Sequence, residues 1–509
     1  MMIKVILLVI FFAVMVAVGI YSRKHAMSVD GFVLGGRSVG PWLTAFAYGT
    51  SYFSAVVFVG YAGQFGWKYG LASTWIGIGN AVIGSLMAWV VLGRRTKVMT
   101  QYLNSKTMPD FFGSRYGSKP LKIAASAIVF VFLVPYTASI YNGLSRLFEM
   151  AFHIPYAWCV IGMAVFTGIY VILGGYMATA INDFIQGIIM LVGIIVVIAA
   201  VLNGQGGFLE AVGKMAEIPS DVEITLGQPG AFTSFFGPDP GNLLGVVILT
   251  SLGTWGLPQM IGKFYAIKDE KSINTGTVIS TVFAIVVSGG CYFLGGFARL
   301  FDAPAIYDEA GAVVYDSIIP HMLSALPDIL IGIVVVLVLS ASMSTLASLV
   351  LTSSSTLTLD FLKDNLLKEM SEKRQVRTMQ VLVIFFIAVS VFIALDPPTF
   401  IAQLMGISWG ALAGAFLAPF LYGLYWKGTT RAGVWASFIV GVGITVVNMF
   451  MPFIESSINA GAAAMVVGLI VVPVVSLITP KLSREKTDAI FSCYEEKVTI
   501  TKKRSLEQN

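Results

Sequence analysis

Charge is what this 509-residue chain has least of: 12% of its residues are Asp, Glu, Lys or Arg, against 57% that are hydrophobic. A soluble domain carries about twice that charged fraction, so the composition excludes one and points to a polytopic membrane protein. Cysteine is scarce as well. Cys159, Cys291 and Cys493 stand far apart and form no CxxC-type pair, which excludes a zinc site or a disulfide framework built on them. The isolated His25, His153 and His321 carry no catalytic or metal-ligating pattern. No GxxxxGK[ST] nucleotide loop is present. Neither an enzyme activity nor a cofactor is expected. The net charge of +5 is spread over short loops rather than gathered in a patch, so nucleic acid is not an expected partner.

What is there in abundance is apolar sequence in membrane-length runs. Stretches near 20 residues, enough to cross a bilayer, occur about thirteen times, at 2–21, 41–64, 71–93, 121–144, 156–173, 180–202, 243–266, 274–297, 326–357, 376–395, 400–426, 432–451 and 461–479. The first follows a lone Lys4 and ends in Tyr-Ser-Arg-Lys with no small-x-small cleavage site, so it reads as a retained helix. Loop charge orients the set. Arg23, Lys24 and Arg37 follow the first run, Arg94, Arg95, Lys97, Lys106, Arg115 and Lys119 the third, and Lys263, Lys268 and Lys271 end or follow the seventh. Lys363, Lys368, Lys373, Arg374 and Arg377 follow the ninth, and Lys427 and Arg431 the eleventh. All of these fall on one side, while Glu210, Glu217, Asp221, Glu223, Asp239, Asp302, Asp308, Glu309 and Asp316 fall on the other. Because cytoplasmic loops are rich in Lys and Arg, the expectation is a plasma (inner) membrane protein with its N-terminus outside and a cytoplasmic tail at 481–509.

Two runs are interrupted at their middles. The second reads AFAYGTSYFSAVVFVG around Gly49, and the seventh reads VILTSLGTWGLPQMIGKF, where Gly253, Gly256 and Pro258 crowd together. Both are places where a helix can unwind, and unwound backbone at membrane depth has to line protein or a watery cavity. Each interrupted run opens a set of five. Matched interruptions in two oppositely oriented sets predict an inverted-repeat transporter with its site at the midplane. The expected organisation is an extra helix and first cytoplasmic loop at 1–40, a first repeat at 41–202, an extracellular loop at 203–242, a second repeat at 243–431, and extra helices at 432–480. Neither interruption shows an ionisable group at its centre, which argues against proton coupling.

The ninth run carries a hydroxyl patch, IGIVVVLVLSASMSTLASLVL, in which Ala341, Ser344, Thr345 and Ser348 share one helical face. Such a stripe can join helices by hydrogen bonds, or offer neutral oxygens to a small hard cation.

The chain resembles the sodium:solute symporter family, which includes sodium/proline, sodium/pantothenate, sodium/sialic acid and sodium/glucose symporters. The resemblance runs from about residue 2 to 479. It is carried by GFVLGGRSVGPW after the first run, YVILGGYMATAINDFIQG at the junction of the fifth and sixth, SASMSTLAS in the ninth, and LYWKGTTRAGVWASFIVG across the eleventh and twelfth. It implies an all-α polytopic membrane protein with about 13 transmembrane helices and a 5+5 inverted-repeat, LeuT-like core. It also implies an Na+ ion held by carbonyls of Thr50, Phe53 and Ala341 and hydroxyls of Ser344 and Thr345. Asp183 and Ser348 match part of a second sodium site or mark the exit route, although Ala347 stands where another hydroxyl is expected. Asp183, near the start of the sixth run, also fits a helix N-terminal electrostatic role. Arg37 matches a gating or coupling arginine, with a positive-inside anchor as the alternative.

For the solute, the resemblance implicates Ser54, Tyr136, Thr254, Trp255 and Gln259. The sodium/proline pattern has an aspartate, two tryptophans and a tyrosine where this chain has Tyr52, Val56, Thr250 and Thr254. KYGL, GLP, NDFIQGIIMLVG and LYW look closer to a sodium/pantothenate symporter. The expected function is Na+-coupled import of a small organic solute across the lipid bilayer, pantothenate or another small carboxylate first, proline or another amino acid as the alternative. A membrane sensor or a channel-like protein on the same fold is the reading of another class. No oligomeric state is specified by the sequence.

Overall fold

The apolar runs fold as helices, and side chains such as Val165, Ile195 and Phe392 point outward from the bundle, as a lipid-facing surface requires. The computed structural model describes residues 2–51, 53–367 and 369–495, and no strand occurs among them. Eleven helical stretches among the described residues are long and apolar enough to cross a membrane. The sequence predicts about thirteen spans. Two of the eleven hold two expected runs each: Val56–Tyr102 has 47 residues and Tyr156–Gly204 has 49, each about twice what one crossing needs, and the first of them turns at Gly70, φ +58°. The second of these turns at Gly175, whose φ of +53° lies in the left-handed region.

Both expected interruptions are present, one of them displaced. The first broken helix runs Pro41–Thr50 and resumes at Val56–Tyr61 and Ala62–Tyr69. Gly49 lies inside the first half rather than at the break. Its reason for being glycine is contact, since a Cβ there would stand 2.4 Å from Cδ1 of Phe283. The first half ends at Thr50, where the hydroxyls of Thr50 and Ser51 donate back to the carbonyls of Phe46 and Ala47, and Ser54 then starts the next half. The Ser54 carbonyl accepts from Val57 and Phe58, and its hydroxyl from the Val56 amide. The second broken helix runs Pro240–Leu252, passes through a tight turn at Gly253–Trp255, and resumes at Pro258–Ala266. Pro258 occupies the first turn of its half, where its missing N–H costs nothing. A Cβ on Gly256 would lie 2.7 Å from the Ala413 backbone, so glycine here lets the turn press against Ile401–Tyr425.

At the centre stands Asp328–Thr356, the hydroxyl helix, with every residue from Leu337 to Leu351 buried. It packs on Tyr156–Gly204, Lys119–Phe152 and Met2–Ser22. The basic loops gather at one end of the bundle: Arg37 bonds the Ser105 carbonyl, Lys106 pairs with Asp30, Arg115 reaches the carbonyls of Gly423 and Trp426, and Lys427 pairs with Asp488. The acidic segments gather at the other. There Arg299 forms a bidentate pair with Asp221 while sandwiched between the rings of Trp67 and Phe232, which staples the 203–242 segment onto the bundle. Residues 496–509, the rest of the expected tail, lie outside the described residues.

Candidate functional site

Where the first helix breaks, its free carbonyls face the hydroxyl helix. The Thr345 hydroxyl lies 3.0 Å from the Thr50 carbonyl, 3.2 Å from that of Phe53 and 3.0 Å from that of Ala341. The Ser344 hydroxyl lies 3.2 Å from the Thr50 carbonyl and 2.9 Å from that of Ala341. All five residues are buried. The three carbonyls and two hydroxyls named for sodium therefore meet in one place. Two hydroxyl protons cannot satisfy three carbonyls with two lone pairs each, so the cluster has an excess of acceptors. A buried cluster of neutral oxygens with that excess can take a small hard cation. Ser342, on the same helix, accepts from the Ala55 amide and so supports the broken backbone from behind.

One turn further along lies a second polar group. Ser348 bonds the Ser51 hydroxyl at 2.9 Å and accepts at 3.0 Å from Nζ of Lys263, which lies 3.8 Å from Oδ2 of Asp183. Asp183 sits eight residues past the Gly175 turn, about two helical turns in, and so is not placed as a helix cap. Lys263 was not singled out by its sequence, where it reads as one of the basic residues at the end of an apolar run. In the structure it is 2% exposed, inside the inner half of the second broken helix, so an ionisable group does stand in an interrupted span. The tight Gly-Pro break, which re-aims the half-helix that follows, is the signal that could have found it.

The five residues named for the solute make contacts of different kinds. Ser54 serves as the start of a half-helix, as described above. Tyr136 packs edge-on against Trp409 with ring centroids 5.9 Å apart. Thr254 donates to the Gly84 carbonyl at 3.0 Å, which also accepts from the Tyr48 hydroxyl, and Trp255 donates to the Ile83 carbonyl at 2.9 Å. Both thus hold the second break onto the Val56–Tyr102 stretch. Gln259 alone faces a cavity. Its amide nitrogen and oxygen have no hydrogen-bond partner among the described residues, and it lines a void of about 40 Å³ with Lys263, Ser348, Thr352 and Ser355. Thr250 bonds its own helix at Val246, Val56 is buried, and Tyr52 lies outside the described residues.

Arg37, at φ +54°, donates to the carbonyls of Ser105 and Tyr265 from a tight Gly-Gly-Arg turn. Burial holds its guanidinium below the usual value, with Tyr265, Asp30 and Asp110 opposing. Two residues on, Val39 bonds the Ala266 carbonyl and accepts from Lys268. The start of the first broken helix is thereby fastened to the end of the second at the basic end. At the acidic end a polar vestibule of about 610 Å³ opens instead, lined by Gln64, Lys68, Asp239, Arg299, Gln403 and Glu455.

The sodium:solute symporter family matches residues 32–441. Sodium/proline symporters of Staphylococcus aureus, including those of strains JH9 and NCTC 8325, are 30% identical over 500 residues, covering 94% of this chain and 93% of the relative. Among solved structures, a substrate-bound, outward-open Na+-coupled sialic acid symporter superposes with a TM-score of 0.76 at 14% identity, over 95% of this chain and 99% of the other. A nucleobase-cation-symport-1 family transporter in a closed conformation gives 0.51 at 14% identity, over 90% and 97%. These likenesses establish the transporter fold.

Proposed function

The chain belongs to the sodium:solute symporter family, and from that premise we propose that it imports a small amino acid of the proline class with Na+, by alternating access. It is a sodium-coupled solute symporter and a multi-pass membrane protein. Na+ is held by the carbonyls of Thr50, Phe53 and Ala341 and the hydroxyls of Ser344 and Thr345. The observation that carries this reading is the Thr345 hydroxyl within 3.2 Å of three separate carbonyls, a set with more acceptors than protons. Neutral ligands leave the loaded site with a net charge of +1, on which the membrane potential acts. About 100 mV is worth ~2.3 kcal/mol per charge, enough for roughly fiftyfold accumulation.

Proline moves ahead of pantothenate because the relatives that match nearly the whole chain are named sodium/proline symporters, whereas the pantothenate-like pieces are structural. The basic end is cytoplasmic by the positive-inside rule, which puts the vestibule outside, Arg37 at the inner closure and the N-terminus outside. Asp183 and Ser348 lie on the inward route from the sodium oxygens.

The test is uptake into proteoliposomes under an inward Na+ gradient, with labelled proline and labelled pantothenate in parallel. Saturable, Na+-stimulated proline uptake that weakens in Thr345→Ala supports the reading. Accumulation of pantothenate alone reverses the order of solutes, and a non-saturating Na+ flux favours the channel-like alternative.

A further inference from the structure

Lys263 is accounted for neither by the sodium oxygens nor by the residues assigned to the solute. A lysine near the end of a membrane helix ordinarily extends its ammonium to the water. This one turns inward and is buried, with Nζ 3.0 Å from the Ser348 hydroxyl, 3.8 Å from Asp183 Oδ2 and 5.1 Å from the centre of the Tyr176 ring.

We infer that the Lys263 ammonium is a built-in cation occupying the place a second sodium would take, which fixes this carrier at a single coupling ion. The inference rests on the sodium site proposed above. Three observations carry it. Asp183 is wholly buried and accepts no hydrogen bond among the described residues, so its counter-charge there is Lys263. A buried carboxylate left without one is strongly destabilising or takes up a proton. Ser348 is the hydroxyl a second ion would need, and it already receives the ammonium. Ala347, also buried, supplies no oxygen from its side chain, so while the ammonium holds Ser348 and Asp183 the remaining ligands fall short of the several that a hard cation requires. An added Na+ would set two cations against one carboxylate in a buried site, where their repulsion is less screened than at the surface.

The attachment has a mechanical consequence. Lys263 belongs to the second broken helix, whereas Asp183 and Ser348 belong to Tyr156–Gly204 and Asp328–Thr356. A free ion would leave with each cycle. The tethered one stays with its helix, and the ion pair forms or parts as that helix moves relative to the other two.

Equilibrium binding of radiolabelled sodium to the purified full-length protein tests this without any solute. The wild type is expected to bind one ion per chain along a hyperbolic isotherm. Lys263→Ala should bind two, cooperatively, and Lys263→Ala combined with Asp183→Asn should return to one. Two ions on the wild type overturn the inference. So does a single ion on both Lys263→Ala and Lys263→Gln when these elute as monodisperse protein. Should neither variant fold, the wild-type count decides alone. Thr345→Ala in the same assay separates the two readings: if it leaves binding unchanged while Lys263→Ala still gains an ion, the assignment of the five oxygens fails and the tethered cation stands.

Discussion

The hydroxyl of Thr345 lies 3.0 Å from the main-chain carbonyl of Thr50, bridging 295 residues of sequence between the central helix and the break in the first helix of the core. At the sodium site proposed above, this hydroxyl would turn its lone pairs to the ion, so its removal is expected to weaken ion binding more than folding. A bond to a charged partner is worth about 1.5–3 kcal/mol, which predicts a rise of roughly 10- to 100-fold in the Na+ concentration for half-maximal uptake in Thr345→Ala. Ser344→Ala should behave alike, and Thr345→Ser should stay within about threefold of the wild type. Sodium titrations of initial uptake rates measure all three; unchanged sodium dependence in both alanine variants would sink the site.

Gly49 predicts a stability effect of a different kind. Its missing Cβ makes room for the Phe283 ring, so Gly49→Ala overpacks that contact at a cost of about 1–3 kcal/mol. The variant should melt earlier in detergent, and Gly49→Ala combined with Phe283→Leu should recover most of the loss. If Gly49 were instead needed to let the helix unwind, the second substitution would rescue nothing.

That contrast marks how far the sequence can be read. Apolar runs locate the helices because burial and lipid both demand them, and the Gly-Gly-Pro cluster at 253–258 locates the second break because those residues weaken a helix directly. The first break sits past Gly49, between Thr50 and Val56, where no glycine or proline marks it, so composition does not reveal it. The hydroxyl stripe is legible from a regular 3.6-residue period. The directions of Thr254 and Trp255 are not, since the tight turn at Gly253–Trp255 has a different period and points both side chains at the Ile83 and Gly84 carbonyls. Lys263 reads as a loop charge because its burial depends on the angle of a half-helix, and only the fold supplies that angle.

Asp316 gives the molecule a pH-dependent stability. It lies outside the spans in Tyr315–Ser324, and its carboxylate accepts from the Ile401 amide at the start of a core helix. Burial pushes its carboxyl up to about 6, against the opposing pull of that bond and of Arg146. The fold therefore holds the proton more tightly than the unfolded chain, whose aspartates titrate near ~4. The stabilisation is full below about pH 4 and is lost as pH rises through about 6. Asp316→Asn keeps an oxygen for Ile401 and removes the charge. It should raise the melting temperature at neutral pH, by at most roughly 3 kcal/mol of stability, and change little near pH 4. A gain of the same size at both pH values would show that the charge is not the cause.

Gln259, one of the residues the resemblance implicates for the solute, has no hydrogen-bond partner for its side-chain amide among the described residues. Leaving a buried polar group unsatisfied costs about 1–3 kcal/mol, and among the described residues neither end of this amide has a protein partner where it borders a small cavity beside Lys263. A core glutamine kept for packing has no reason to bear that cost, whereas one that meets a polar solute recovers it on binding. Gln259→Ala should therefore raise the proline concentration for half-maximal uptake roughly tenfold or more, the value of one recovered bond to a polar group. Its sodium dependence in the absence of solute should remain that of the wild type, because the five oxygens lie elsewhere. Trp255→Phe serves as the contrast. It frees the Ile83 carbonyl and loosens the second break, so it should lower the melting temperature without shifting proline affinity by more than about threefold. The decisive readout is the pairing of these effects: a lower affinity in Gln259→Ala with intact stability places the amide against the solute, and equal losses of stability in both variants reduce it to a packing residue.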